Sequence, residues 1–269
     1  MMNKMKVLLF GYLFLVACAD NSNVQPNVIV DSQDAIIGGV KVEPGTQVMR
    51  STVAIYDMSE QALCTGSLIS SDIVLTAAHC VGKQPSKMLV IFTNDIKHAE
   101  TDSKLIRFVS KARVHKDYNA NKRFNAADIA LVKFVGGLPA GYAPVKILNK
   151  PELLKTGSNV GVAGFGLSHP EDARTGDGSG VLRTTSIKIL NSKYSATEIS
   201  LDQSVKRGAC SGDSGGPAFM MVNGRLNVWG VASRAAYMPG VPECTIYSLY
   251  TRADVFKGWI SNKSAELSR

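Results

Sequence analysis

The chain has 269 residues, 45% of them apolar and 19% charged, enough apolar content for a sizeable core and too much for an intrinsically disordered protein. Its 30 basic and 22 acidic residues give a net charge of +8, with the basic residues spread along the chain and never gathered into a run. A nucleic-acid binder concentrates such charge in a patch or stripe, so no nucleic-acid partner is expected.

In chain order, Lys4 and Lys6 precede an apolar run over 7–17 that is shorter than the ~20 residues of a bilayer span. A basic start and a short apolar run make an export signal. Its end, Leu15-Val16-Ala17-Cys18, resembles a bacterial lipobox, in which the Cys is lipidated; Ala17-Cys18-Ala19 also fits ordinary cleavage after Ala19. Residues 1–18 are therefore expected to be a signal with Cys18 as lipidation site, anchoring the protein in a bacterial envelope. Residues 19–35 are rich in Asn, Ser, Asp and Gln and bury too little apolar area to offset ordering, so a tether is expected there. The quartet Ile36-Ile37-Gly38-Gly39 ends it.

From there, β-patterned runs recur at 48–56, 63–70, 88–92, 106–114, 129–135, 160–165, 184–190, 226–232 and 246–251, most of them separated by turn residues. This spacing predicts an all-β sandwich or barrel. The end differs: Thr251 and Asp254 have the spacing of a helix cap, and Val255, Phe256, Trp259 and Ile260 recur at helical spacing.

Apart from Cys18, four cysteines remain: Cys64, Cys80, Cys210 and Cys244. An exported chain meets an oxidising compartment, where disulfides persist, and four cysteines allow three pairings. No C-x-x-C pair is present, so no metal site is expected.

Three segments carry chemistry: Thr76-Ala77-Ala78-His79-Cys80, Asp128-Ile129-Ala130-Leu131 and Gly212-Asp213-Ser214-Gly215-Gly216-Pro217. A serine hydroxyl is a weak nucleophile; it needs a positioned base, and the base needs a group that fixes its tautomer. The small residues around Ser214 leave its backbone amides open to a substrate. Gly212 to Gly216 also fits the G-x-S-x-G elbow of α/β-hydrolases, whose His follows the Ser. Here His79, His98, His115 and His169 all precede Ser214, which excludes that alternative.

In these segments the chain resembles the trypsin-like (chymotrypsin-family) serine proteases, with His, Asp and Ser in the same order. The resemblance runs from Ile36 nearly to the end of the sequence. It implies two β-barrels with the site between them and a C-terminal helix, the barrels falling at 36–145 and 146–269. It implies Ser214 as nucleophile, His79 as base, Asp128 as its orienting carboxylate, and the amides of Gly212 and Ser214 as the oxyanion hole. It implies disulfides Cys64–Cys80 and Cys210–Cys244. It also implies a zymogen, in which a cut before Ile36 frees an amine that pairs with Asp213. The residue before the cut is Ala35, so a trypsin-like activator is not expected. Gly208 stands where an Asp selects Lys and Arg in some members; Ser233, Ala235 and Ser248 match pocket positions. The expected substrates are proteins or peptides cut after small or medium uncharged residues. Arg234 stands where the family commonly has Trp, and Glu243 belongs to a long loop the resemblance does not place. No cofactor is implied: Asn94, Asp95, Glu100 and Asp102 match a Ca²⁺-binding loop of some relatives only loosely. His98, His115 and His169 match no motif and are expected at the surface or in loops. The same machinery would hydrolyse small acyl esters; a binding module that had lost its chemistry is the other class, and the intact triad argues against it.

Overall fold

The structure, a computed structural model, describes residues 36–169 and 178–269. The signal with Cys18 and the 19–35 tether lie outside the described residues. A short strand, β1 (Val40–Lys41), is followed by β2 (Thr52–Asp57), β3 (Ala62–Leu68), β4 (Ile73–Thr76), β5 (Met88–Ile91), β6 (Ile106–Val114) and β7 (Ala130–Phe134). Strands β2 to β7 close into an antiparallel barrel in the order β2-β3-β4-β7-β6-β5. The next strands are β8 (Lys146–Ile147), β9 (Asn159–Gly164), β10 (Arg183–Asn191), β11 (Glu198–Asp202), β12 (Pro217–Val222), β13 (Arg225–Ala235) and β14 (Tyr247–Arg252). The ring β9-β10-β11-β14-β13-β12 closes through the β12–β9 and β9–β10 pairings, making a second barrel. Closure leaves neither barrel an open edge.

Each barrel is filled by its inward side chains. In the first, Phe92 packs edge-on against Phe134 and Tyr142, with centroids 5.4 and 4.9 Å apart. In the second, Val160, Val162, Ile187 and Ile199 surround Trp229 and Tyr250. Both chain ends cross over. β1 pairs with β10 of the second barrel. The C-terminal helix (Lys257–Leu267) lies on the first, where Lys133 Nζ donates to the Leu267 carbonyl at 2.9 Å and Arg113 Nε to Glu266 at 2.7 Å. The residues before the first barrel thus dock on the second, and the helix that follows the second docks on the first.

Two local expectations are corrected. The 48–56 run starts as a helix, Gln47–Ser51, because the Thr46 hydroxyl caps it by accepting from the Met49 amide at 3.2 Å; the strand begins at Thr52. Thr251 caps no helix: it is fully buried in β14, paired with Val231 and Glu198, and the helix starts only at Lys257, after Val255 and Phe256. His115 lies in the loop after β6, as expected, and is half-buried there. Its ring packs on Phe256 and Trp259 beneath the helix, at 4.9 and 5.1 Å, and burial lowers its pKa.

Candidate active site

Strand β4 is buried at all four positions and ends in a single turn, Ala78–Cys80, that presents His79. Asp128 sits just before β7, whose Ala130 pairs with Thr76 of β4, so adjacent strands bring the two side chains together. The His79 amide donates to Asp128 Oδ1 at 3.1 Å, and His79 Nδ1 lies 2.8 Å from Asp128 Oδ2. A third donor comes from the other barrel: the Ser233 hydroxyl, 2.7 Å from Asp128 Oδ2. Register explains its reach. In the β13–β14 ladder Ala232 faces Tyr250 and Arg234 faces Leu249, leaving Ser233 as an irregularity between them. Such bulges re-aim side chains. Burial pushes the Asp128 carboxyl up, but the His79 ring, the Ser233 hydroxyl and the His79 amide outweigh it and hold the carboxyl below its ordinary value.

The serine segment leads into β12 and is clamped by the first barrel. The Thr65 amide donates to the Ser214 carbonyl at 2.8 Å, and the Thr65 hydroxyl donates to the Gly212 carbonyl at 3.0 Å. Thr65 follows Cys64, whose disulfide with Cys80 ties it to the residue after His79. Gly215 has φ +79° and lies so close to the chain before His79 that a Cβ there would fall 2.0 Å from Thr76 Oγ1 and 3.0 Å from the Ala77 amide. These contacts hold the backbone of the serine segment against Thr65 and the chain that leads to His79. Among the described residues neither the Ser214 hydroxyl nor His79 Nε2 makes a hydrogen bond, and nothing accepts from the Gly212 and Ser214 amides. Asp213, Gly215 and Gly216 instead spend their amides on the carbonyls of Cys210, Ala232 and Asp213.

Asp213 is buried. Its oxygens accept from the amides of Gly166, at 2.7 Å, and Cys210, at 2.8 Å. Gly166 must be glycine: a Cβ there would fall 2.5 Å from the carboxylate carbon. Burial pushes the Asp213 carboxyl up to about 7, against the amides and the Arg183 charge that pull it down. Ile36 is 1% exposed within the second-barrel core, and Ile37 bridges to Gly208 and packs on the Cys210–Cys244 disulfide, the neighbourhood of the amide that serves Asp213.

Beside Ser214 opens a pocket of about 270 Å³. Ala209, Ala232, Ser233, Ala235 and Ser248 line it, and Arg234 and Glu243 add the charged groups. Gly208 is not on its wall. A Cβ at Gly208 would meet the Gln203 side chain at 2.6 Å, and Gln203 Nε2 donates to the carbonyls of Ala209 and Cys244 at 2.9 and 2.8 Å, bracing the pocket from behind. Of the Ca²⁺-loop candidates, Asn94 donates to the Val42 carbonyl at 3.2 Å, Asp95 and Asp102 cap short helical turns, and Asp95 faces Lys41 at 4.0 Å. Among the described residues the group with metal-ligand spacing is Cys64, His79 and Cys80, and its two thiols are spent in the disulfide.

Sequence reasoning missed Thr65 and Gln203, took Ser233 for a pocket wall only, and left Glu198 unremarked. Glu198 is fully buried and meets Arg234 Nη1 at 2.6 Å. An acidic residue in an otherwise alternating stretch was the one available signal.

The family model described as Trypsin matches residues 36–260. Granzyme B(G,H) of Mus musculus is 32% identical over 196 residues, covering 68% of this chain and 75% of its own. Brachyurin of Leptuca pugilator is 29% identical over 242 residues, covering 85% and 98%. Chymotrypsin-like elastase family member 1 of Rattus norvegicus is 26% identical over 212 residues, covering 74% and 77%.

Proposed function

Because the chain belongs to the trypsin family of serine endopeptidases, we propose that Ser214, His79 and Asp128 are its catalytic triad. The observation that carries this is the 2.8 Å contact of His79 Nδ1 with a buried Asp128. With Nδ1 held, Nε2 is the nitrogen left to take the Ser214 proton. The Ser214 oxygen attacks the scissile carbonyl, and the carbonyl oxygen gains a negative charge met by the Gly212 and Ser214 amides. Collapse expels the amine, which receives the proton back from His79 and leaves an acyl-enzyme; water repeats the sequence to free the acid. Asp128 keeps its charge throughout and stabilises the imidazolium. An oxyanion donor in a related protease contributes about 2.7–4 kcal/mol.

The pocket walls, Ala235 and Ser248, support cleavage after small or medium uncharged side chains. Asp213 is buried with two backbone amides as its hydrogen-bond donors, and this supports activation by a cut between Ala35 and Ile36: the new amine takes the role of a charged partner and fixes the Gly212 turn. Exported as a precursor, the chain carries a lipid on Cys18, and the same cut separates the barrels from it. Two disulfides fit an oxidising compartment.

A serine-directed fluorophosphonate should label wild type and leave Ser214→Ala unlabelled. Digestion of a peptide mixture, read by mass spectrometry, should give cuts after Ala, Val or Leu. Labelling of the variant would overturn the nucleophile; a profile of Lys and Arg would overturn the pocket. Fractionation with N-terminal sequencing tests the tether: active enzyme should be soluble and start at Ile36, and active enzyme still carrying its lipid would break the link between activation and release.

A further inference from the structure

Arg234 lies between two cavities. One is the pocket beside Ser214; the other, about 220 Å³, is lined by His79, Tyr118, Ala120, Ala126, Asp128, Ser233 and Arg234. The two share Ser233 and Arg234. We propose that Arg234 is a specificity-determining residue: it selects substrates bearing a hydrogen-bond acceptor, Asp, Glu, Asn or Gln, on the residue immediately N-terminal to the one in the main pocket. This rests on the proposed triad: the second cavity adjoins the main pocket through Ser233 and Arg234 and is walled by His79, so a peptide acylating Ser214 with one side chain in the main pocket would have it within reach of the preceding one.

The guanidinium is fixed from behind. Nη1 donates to Glu198 Oε1 at 2.6 Å and to the Ser233 hydroxyl at 3.3 Å, and Nη2 to the Arg123 carbonyl at 2.8 Å. Glu198 is itself immobilised: its Oε2 accepts from the Asn125 amide at 2.7 Å and the Ser195 hydroxyl at 3.0 Å. A guanidinium has five N–H donors. Two of Arg234's find no acceptor among the described residues, while its side chain is 29% exposed.

The other groups facing the cavity leave the same vacancy. Both oxygens of Asp128 are occupied, one by the His79 amide and the other by the His79 ring and Ser233. The Tyr118 hydroxyl, under the influence of the Asp128 and Arg234 charges, makes no hydrogen bond among the described residues. Ala120 and Ala126 leave room for a side chain. A substrate group entering here thus meets unspent donors from a cation, beside a loop that also carries Lys122 and Arg123. An acceptor gains charge-assisted hydrogen bonds. A lysine finds like charge and no free carboxylate. Glu198 balances the pair, so the selectivity extends to neutral amides.

The test varies that substrate position in fluorogenic peptides with Ala or Leu before the cut, with each enzyme quantified by fluorophosphonate labelling. Wild type should show kcat/KM at least tenfold higher for Glu and Gln than for Lys. Arg234→Gln alone strands the buried Glu198, so the double variant Arg234→Gln/Glu198→Gln is used as well; its ratio should fall to within about twofold. Arg234→Lys should retain part of the Glu preference and lose that for Gln. Wild type that cleaves with no preference among Glu, Gln and Lys overturns the proposal and leaves the endopeptidase intact, as does a preference that survives in the double variant. Failure of wild type to label or cleave overturns the triad, and this proposal with it.

Discussion

Asp213 gives a prediction in which sequence, burial and activation meet in one measurement. In the uncut chain its carboxyl is raised from 3.8 to about 7, mainly by burial. Between those values the folded chain keeps a proton that the unfolded chain has released, so stability falls as pH rises through the window. At about 1.4 kcal/mol per unit, this costs roughly 4 kcal/mol between pH 4 and 7. The proposed cut before Ile36 should give an amine that stabilises the carboxylate, and the decline should then disappear. Ile36 adds to the uncut chain's burden, because its φ of +35° is unfavourable for a β-branched residue. The perturbation is made in Ser214→Ala, with residues 31–35 replaced by the site of an exogenous protease that cuts before Ile36. Urea unfolding of uncut and cut chains from pH 4.5 to 7.5 gives the slopes, and Asp213→Asn supplies the uncut reference without a titrating group. An uncut chain whose pH profile matches that of Asp213→Asn would refute the reasoning, as would a cut chain with the same decline as the uncut one.

Ser214→Ala should leave the fold unchanged by circular dichroism and remove peptidase turnover; in a related protease loss of the serine costs about 10⁶ in kcat. Ser233→Ala deletes a buried donor to Asp128, a charge-assisted bond worth about 1.5–3 kcal/mol, and should lower kcat/KM by about ten- to a hundredfold in steady-state assays. Replacing Cys210 and Cys244 by Ser removes a native disulfide and should lower unfolding free energy by about 2–5 kcal/mol in urea titrations.

What was legible in the sequence was what is local. The contexts of His79, Asp128 and Ser214 are contiguous motifs, and their order alone decided between two hydrolase classes. The barrel strands were legible where β-branched and apolar residues cluster. What was not legible depends on register between distant segments. Ser233 reaches Asp128 only because β13 carries an irregularity opposite Tyr250 and Leu249. Gly208 leaves the pocket wall because Gln203, from the end of β11, fills the space behind it. Thr251 has the composition of a cap, yet tertiary pairing claims it for a strand. His115 resembles any loop histidine until the C-terminal helix covers it.

Thr65 joins the two barrels at the proposed site through a single oxygen atom. Its hydroxyl donates to the Gly212 carbonyl at 3.0 Å and accepts from the Phe165 amide at 3.1 Å, and its backbone holds Ser214. One side chain of the first barrel thus fixes the turn that presents the proposed oxyanion donors of the second. Thr65→Val keeps the β-branched shape in a fully buried site but strands the Phe165 amide and the Gly212 carbonyl, a cost of about 1–3 kcal/mol per group. Part of that falls on stability. The rest falls on the reaction, because a Gly212 turn free to rotate no longer presents its amide before the oxyanion forms, and preorganisation of that donor is what accelerates the step. The expected signature is a fall in kcat of about tenfold or more with KM changed less than twofold, in enzyme still labelled by fluorophosphonate. The same loss appearing wholly in KM would place Thr65 in substrate binding and refute its role in holding the turn.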